Sequence, residues 1–232
     1  MTQSIWWLVG LIYALASHGL GSIVNDPAPP QKPFPRASVR FEQNATDGDV
    51  EVVFEITGRS DGLAKLRVVS PDGRTVVDFN APDASTLGIR QFVFESPEPT
   101  DVAGLKAAYP EGTYTFLGET AAGARLHGKA SLKHELPPIT SFVWPKAKAK
   151  NVGVNGLKVA WAPVEQAAAY IVEIEQDELK ANITARLPAI EPGFAVPAGF
   201  LRPNTAYQLG IGTVAADGNI SYIETTFTTG AK

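Results

Sequence analysis

Short runs in which apolar and polar residues alternate, separated by turn residues, occupy most of the chain. In the clearest run, Val50, Val52, Phe54 and Ile56 alternate with polar residues. Successive side chains of a β-strand point to opposite faces of a sheet, so this pattern predicts a strand with one buried face and one solvated face. Similar runs recur between glycine, proline, asparagine and aspartate turns. The sequence therefore predicts an all-β fold of two tandem β-sandwiches, without long helices after residue 30.

Residues 37–136 carry enough of these runs for the first sandwich. Leu66 and Val68 face inward in a run that the turn sequence Ser-Pro-Asp-Gly-Arg follows, so a β-hairpin is expected there. Tyr114, at the end of Pro-Glu-Gly-Thr-Tyr, enters a later strand. This strand entry and a count of about seven strands resemble an immunoglobulin-like module.

The C-terminal part of the chain carries a more specific pattern. Trp161 closes the run Leu-Lys-Val-Ala-Trp, Tyr170 opens the run Tyr-Ile-Val-Glu-Ile, and Leu201-Arg-Pro-Asn-Thr-Ala-Tyr207 follows. Together these motifs resemble a fibronectin type III domain over residues 137–232. The resemblance implies a sandwich whose core is anchored by Trp161, Tyr170, Leu201 and Tyr207. It implies neither a ligand nor a reaction.

The N-terminal segment is typical of an export signal. The apolar run Ile5–Ala16 has twelve residues, which is too short for an ordinary membrane span and close to the core of a signal peptide. Ala14 and Ala16 are small residues suited to cleavage, although no lysine or arginine precedes the run. We interpret residues 1–16 as a signal peptide, with an uncleaved N-terminal anchor as the alternative.

A proline-rich linker is predicted over residues 17–36. Five prolines fall within Asn25–Pro35, and proline favours an extended path and blocks a helix. The chain has no cysteine, which excludes disulfides and thiolate sites. An exported protein without disulfides fits a bacterial route best. The mature protein, from Ser17 onward, is therefore expected to be secreted or periplasmic, with no membrane span after signal cleavage.

The charge balance excludes some classes of partner. Twenty lysines and arginines against twenty-four aspartates and glutamates give a net charge of -4, which argues against nucleic acid and anionic membrane surfaces. The charge is uneven, because residues 37–136 have ten basic and fifteen acidic residues, while residues 137–232 have eight of each. The acidic character belongs to the first predicted sandwich.

Two clusters of charged residues are candidate sites. Asn44, Asp47, Asp49 and Glu51 bring oxygen ligands of the kind that calcium prefers into one segment; the alternative is an Asx-type turn before a strand. A second cluster places three lysines on one side of an extended chain. These lysines either contact a polyanion or prevent an edge strand from pairing with another strand. Its members are Lys146, Lys148 and Lys150.

Catalytic chemistry leaves no recognisable motif. His127 and His134 fall seven residues apart on one predicted strand, so they face opposite sides. No nucleophile elbow, His-Glu-x-x-His motif or phosphate-binding glycine loop accompanies them. We therefore predict no enzymatic activity, no catalytic residues and no cofactor.

Three functions remain, and the groups that the folded protein exposes to solvent distinguish them. The principal hypothesis is an exported, non-enzymatic interaction module that presents β-sandwich loops and edges to a protein or cell-surface polysaccharide. The alternatives are a carbohydrate-binding accessory protein and a hydrolase with an unrecognised carboxylate site. A row of exposed aromatics favours sugar, an unpaired edge favours protein, and carboxylates converging in a cleft favour catalysis. Tyr222 and Trp144 are the aromatic candidates, although Trp144 is expected in the core of the second sandwich.

Overall fold

The structure is a computed structural model that describes residues 31–81, 87–98 and 101–231. The predicted signal peptide and most of the linker lie outside these residues. The described residues form sixteen strands and one short helix, which confirms the all-β prediction. Within the same ranges, no helix is long and apolar enough to span a membrane.

The N-terminal half, residues 31–136, packs two sheets against each other. Its elements are β1 (Lys32–Pro33), β2 (Arg36–Asn44), β3 (Asp49–Thr57), β4 (Leu63–Val69), β5 (Thr75–Asn80), β6 (Gln91–Glu95), α1 (Val102–Ala108), β7 (Gly112–Thr120) and β8 (Arg125–Leu132). One sheet has the order β1-β8-β7-β4-β5, and β2, β3 and β6 pair in a second sheet. Strands β4 and β5 form the hairpin that the sequence predicts. The alternation in β3 buries Val50, Val52, Phe54 and Ile56 between the sheets.

Helix α1 has seven residues, which agrees with the prediction of no long helix after residue 30. Asp101 caps the helix, and its Oδ1 accepts a hydrogen bond from the backbone N–H of Gly104 at 3.0 Å. Only Leu105 is fully buried. A seven-residue helix with one buried side chain has too little periodicity to be distinguished from a loop.

The C-terminal half, residues 137–231, repeats the same arrangement. Its strands are β9 (Phe142–Trp144), β10 (Ala149–Val152), β11 (Lys158–Trp161), β12 (Ala169–Gln176), β13 (Ala181–Pro188), β14 (Gly193–Ala195), β15 (Ala206–Val214) and β16 (Ile220–Thr229). The order β14-β11-β9 forms one sheet, and β13-β12-β15-β16 forms the facing layer. This two-layer topology is the β-sandwich that the fibronectin type III resemblance implies.

Aromatic side chains fill the second core. Trp161, Tyr170, Leu201 and Tyr207 are all buried in one cluster. The Trp161 and Tyr170 rings meet edge to face at 5.3 Å between centroids. Each tyrosine hydroxyl also accepts a hydrogen bond from a backbone N–H. The Tyr170 hydroxyl accepts from Val164 at 2.6 Å, and the Tyr207 hydroxyl accepts from Arg202 at 2.8 Å. These bonds pair the buried phenol oxygens, whereas the indole N–H of Trp161 is buried without a partner.

A continuous sheet links the two halves. Residues 220–222 of β16 pair in parallel with residues 42–44 of β2, so a single eight-stranded sheet contains β13-β12-β15-β16-β2-β3-β6. The far end of the same edge of β16 pairs with β10. The two hydrophobic cores nevertheless stay separate clusters. The domain boundary between residues 136 and 137 stays a prediction.

Asn219 joins the halves at the start of this pairing. Its side chain is 2% exposed. Its Oδ1 accepts the backbone N–H of Phe41 at 2.7 Å, and its Nδ2 donates to the carbonyls of Lys133 at 2.9 Å and Glu135 at 2.8 Å. Next to it, Ser221 Oγ donates to the Pro137 carbonyl at 2.7 Å. Buried polar groups are costly unless they are paired, so this network fixes the junction in one register.

The different burial of Trp161 and Trp144 predicts different effects on stability. Trp161→Ala should lower the free energy of unfolding by about 3 to 5 kcal/mol, because it opens a cavity in the second core. Trp144→Ala, the matched control, removes the same side chain from the surface and should cost less than about 0.5 kcal/mol. Urea unfolding followed by circular dichroism measures both. Equal effects of the two substitutions would contradict the assignment of Trp161 to the core.

Candidate interaction groove

An open groove of about 310 Å³ crosses the outer face of the eight-stranded sheet at the junction of the two halves. Its lining combines residues of β2, β3, β12 and β16 with residues at and beyond the end of β6. Among the described residues that line it, Arg40 is the only cation. The lining carboxylates are Glu42, Asp49, Glu51, Glu95, Glu98, Glu173 and Glu224. We call this site the junction groove.

Strand register brings these carboxylates together. Glu42 of β2 lies directly opposite Glu51 of β3. Glu95 lies opposite Val53, which places it diagonally across from Glu51 on the same face. Facing carboxylates in a sheet repel each other, so this arrangement opposes stability.

Two glycines of β15 shape the other wall. Gly210 lies between Glu173 and Glu224 in the register of β12, β15 and β16. A Cβ atom on Gly210 would lie 3.7 Å from Glu173 Oε2 and 3.8 Å from Glu224 Cγ. Two residues further, a Cβ on Gly212 would lie 2.8 Å from the ring of Tyr222. The missing side chains let the Tyr222 ring lie close against the sheet beside the carboxylates.

The environment of the groove shifts proton affinities upward. Burial raises the pKa of Glu51 to about 7, helped by the negative charges of Glu42, Glu95 and Glu98. Burial also raises the pKa of Glu173, with contributions from Glu175, Glu42 and Glu224. The pKa of Tyr222 is raised by burial and then by Glu173 and Glu42. The groove therefore favours an added positive charge or an added proton.

Arg40 offsets only part of this negative charge. Its Nε lies 2.7 Å from Glu42 Oε2, and one terminal nitrogen lies 3.7 Å from Glu55 Oε2. Glu55 also pairs with Arg36 at 2.8 Å. Arg40 is thus anchored at the side of the groove by Glu42 and Glu55.

The calcium candidates lie in the turn between β2 and β3 and along the junction groove. Asn44 Oδ1 accepts the N–H of Thr46 at 3.0 Å, and Asp47 Oδ1 accepts the N–H of Asp49 at 3.2 Å. These bonds form the Asx-type turn that the sequence offered as the alternative. Asn44, Asp49 and Glu51 also line the junction groove. Among the described residues, no group of three or more acidic or histidine side chains has a metal-binding geometry.

Lys146 and Lys148 precede the strand and only Lys150 lies in it, in β10, so the three lysines do not share the one extended segment that the sequence predicts. The backbone N–H of Ala149 donates to the carbonyl of Lys146 at 3.0 Å, and Lys148 has a φ of 59°. The turn ends at Ala149, which is the first residue of β10 and pairs with Phe227 of β16. Lys146, Lys148 and Lys150 are exposed, and their contact with a polyanion stays a proposal.

The two aromatic candidates lie on different sheets. Trp144 was expected in the core, but it is 47% exposed. The reason is the register of β9, which pairs Trp144 with Ala160 on the outer face and Phe142 with the buried Trp161. Tyr222 lies in the junction groove, on the eight-stranded sheet. Trp144 and Tyr222 therefore do not form a row.

The histidines do not share the one strand that the sequence predicts, because β8 ends at Leu132. His127 is a half-buried residue of β8. His134 lies beyond the end of β8, where a ring nitrogen, Nε2, lies 2.8 Å from the carbonyl of Tyr109 and the ring packs 5.2 Å from the ring of Phe41. Neither lines the junction groove.

Comparison with known proteins yields structures of low similarity. No protein-family model and no curated protein matches the chain. The fibronectin(III)-like modules of Clostridium thermocellum CbhA are 12% identical, with 84% of this chain and 91% of that chain covered and a TM-score of 0.35. A two-domain fibronectin type III segment of chicken tenascin is 14% identical, with 84% and 98% covered and a TM-score of 0.32. The FN1–FN3 domains of chicken CNTN1 are 10% identical, with 85% of this chain and 67% of that chain covered and a TM-score of 0.33.

The raised pKa of Glu51 predicts a pH-dependent stability. In the unfolded chain this carboxyl loses its proton near pH 4.5, but in the folded chain it keeps the proton up to about pH 7. The contribution of Glu51 to the free energy of unfolding therefore falls as the pH rises through this window. Glu51→Gln should stabilise the protein by about 1 kcal/mol at pH 8, after allowance for solvent screening, and have little effect at pH 4.

Urea unfolding at the two pH values measures this difference. Glu165→Gln removes an exposed carboxylate outside the groove and is the control. An equal effect of Glu51→Gln at both pH values would show that the groove does not raise the pKa of Glu51.

Proposed function

We propose that this chain is an exported, non-enzymatic interaction module that binds a positively charged segment of a protein partner in the junction groove. The observation that carries the proposal is the composite construction of the groove, because strands of both sandwiches supply its carboxylates. Ligand sites occur preferentially at such junctions between domains. The export part rests on the predicted signal peptide, which indicates a secreted or periplasmic location.

The chemistry of the groove selects a cationic partner. Seven carboxylates and one guanidinium line an open surface. An arriving lysine or arginine would donate charge-assisted hydrogen bonds to the carboxylates and would relieve the repulsion between Glu42 and Glu51. An anionic polysaccharide would meet the same repulsion as another carboxylate. A protein segment rich in lysine or arginine therefore fits the groove better than an acidic glycan.

The shape of the site also favours a chain over a small molecule. The groove is open to solvent, and polar atoms dominate its surface. Small-molecule pockets are usually enclosed and lined mainly by apolar side chains. The glycine pair of β15 keeps one wall low, so an extended segment can lie across the strands with its side chains among the carboxylates.

A hydrolase is the second candidate, and one observation favours it. Glu51, with a pKa of about 7, can hold a proton at neutral pH, while the opposite Glu42 is ion-paired with Arg40. Two carboxyl groups in different environments are the arrangement that acid–base hydrolysis of glycosides uses. A carbohydrate-binding role has weaker support, because the two aromatic candidates, Trp144 and Tyr222, lie on different sheets.

Binding of a lysine-rich peptide tests the principal proposal. Fluorescence anisotropy with a labelled octalysine peptide should show binding that weakens with added salt and strengthens as the pH rises through about 7, where Glu51 ionises. The double substitution Glu173→Gln with Glu224→Gln should weaken binding at least about tenfold, because it removes two groove charges.

The control carries the same change of charge elsewhere. Glu165→Gln with Glu178→Gln alters two exposed carboxylates outside the groove and should leave the affinity within about twofold. Equal losses in the two double variants would mean that only net charge matters, and the groove proposal would fail. Turnover of a glycoside panel that Glu51→Gln abolishes would favour the hydrolase instead.

A further inference from the structure

Strand β13 forms one end of the eight-stranded sheet. Its residues pair with β12 in eight consecutive positions, from Ala181 opposite Gln176 to Pro188 opposite Ala169, without a register shift. No other described strand pairs with β13. An antiparallel strand points half of its backbone N–H and C=O groups to each side, so the outer side of β13 presents a straight row of such groups.

This edge lacks the protection that the shorter edges have. In the facing sheet of the C-terminal half, both edge strands, β9 and β14, have only three residues. In contrast, β13 has eight residues, no bulge, no lysine, and a proline only at its last position. Its single charge is Arg186. Natural sheets use bulges, prolines and lysines to prevent pairing at an edge, so an edge of this kind is suited to pairing.

We propose that β13 pairs in antiparallel orientation with β13 of a second copy of this chain, about a two-fold axis at Thr184. In this register Thr184 faces its own copy, a β-branched pair that stabilises antiparallel sheets. Arg186 faces Asn182, so no like charges oppose each other. On the inner face, Ile183 faces Ala185, and Leu187 faces Ala181. Each large side chain thus meets a small one.

Neighbouring registers fit less well. Opposed residues must lie on the same face, so the axis must pass through a residue, and the nearest alternatives are Ile183 and Ala185. An axis at Ile183 places Lys180 opposite Arg186, a like-charge pair that opposes association. An axis at Ala185 places Pro188 in the new ladder, where it cannot donate a hydrogen bond. The sequence of β13 therefore favours the axis at Thr184.

The proposed pairing has a geometric consequence. A two-fold axis between antiparallel strands of one sheet is perpendicular to that sheet, so both copies present the same face. The junction grooves of the two copies would then open on the same side. If the proposed function holds, the dimer binds a repetitive partner at two points and gains avidity. The pairing itself does not depend on the groove.

Single-cysteine variants test the register directly, because the chain has no cysteine of its own. In Thr184→Cys, the two thiols lie opposite each other at a Cα separation of about 5 Å, within the range of a disulfide. In Asn182→Cys, on the same face of the same strand, the thiols lie roughly 13 Å apart along the strand and cannot join. Mild oxidation of the full chain should give a covalent dimer with the first variant alone.

Sedimentation equilibrium of the unmodified chain and of two further variants completes the test. The unmodified chain should form dimers in a concentration-dependent manner. Thr184→Lys, which places like charges on the axis, should weaken the dimer at least about tenfold, and Thr184→Val should keep it. A monomeric unmodified chain, or equal cross-linking of the two cysteine variants, would overturn the proposal even if peptide binding in the groove is confirmed.

Discussion

The parallel pairing of β16 with β2 determines most of what is distinctive in this structure. It converts two sheets that belong to separate cores into one sheet, and it places carboxylates from both halves on a single face. Three residue pairs form the ladder, and Asn219 adds three hydrogen bonds at its start. A short ladder alone would be weak, so the buried amide supplies the specificity of the junction.

The junction groove is a place where local energetics oppose stability. Glu42 and Glu51 face each other, and neither Gly210 nor Gly212 contributes a side chain to cover the wall. Sequences that fold well usually avoid such conflicts, and conflicts that persist concentrate at functional sites. The repulsion between the groove carboxylates therefore supports the proposed binding of a cationic segment.

The sequence predicts the features that arise from local periodicity. Alternation in β3 identifies its buried face, and the motifs around Trp161 and Tyr207 locate the second core. Features that depend on register or on distant contacts are missed. Trp144 is exposed because β9 pairs with β11 in one particular register. The groove depends on contacts such as that of Phe41 with Asn219, which are 178 residues apart. The repeated glutamates at 173 and 175 and the Gly-x-Gly of β15 were the available signals, but neither indicates the partner strand.

Hydrogen exchange of the Phe41 backbone amide tests the continuous sheet most directly. This N–H donates to Asn219 Oδ1 at 2.7 Å, so its protection depends on the docking of the C-terminal half. In the full chain, this amide should exchange as slowly as amides in the centre of β3. In a chain ending at residue 136, the amide should lose its protection while β3 keeps its own. If the amide exchanges rapidly in the full chain, the two halves are not joined through β2 and β16.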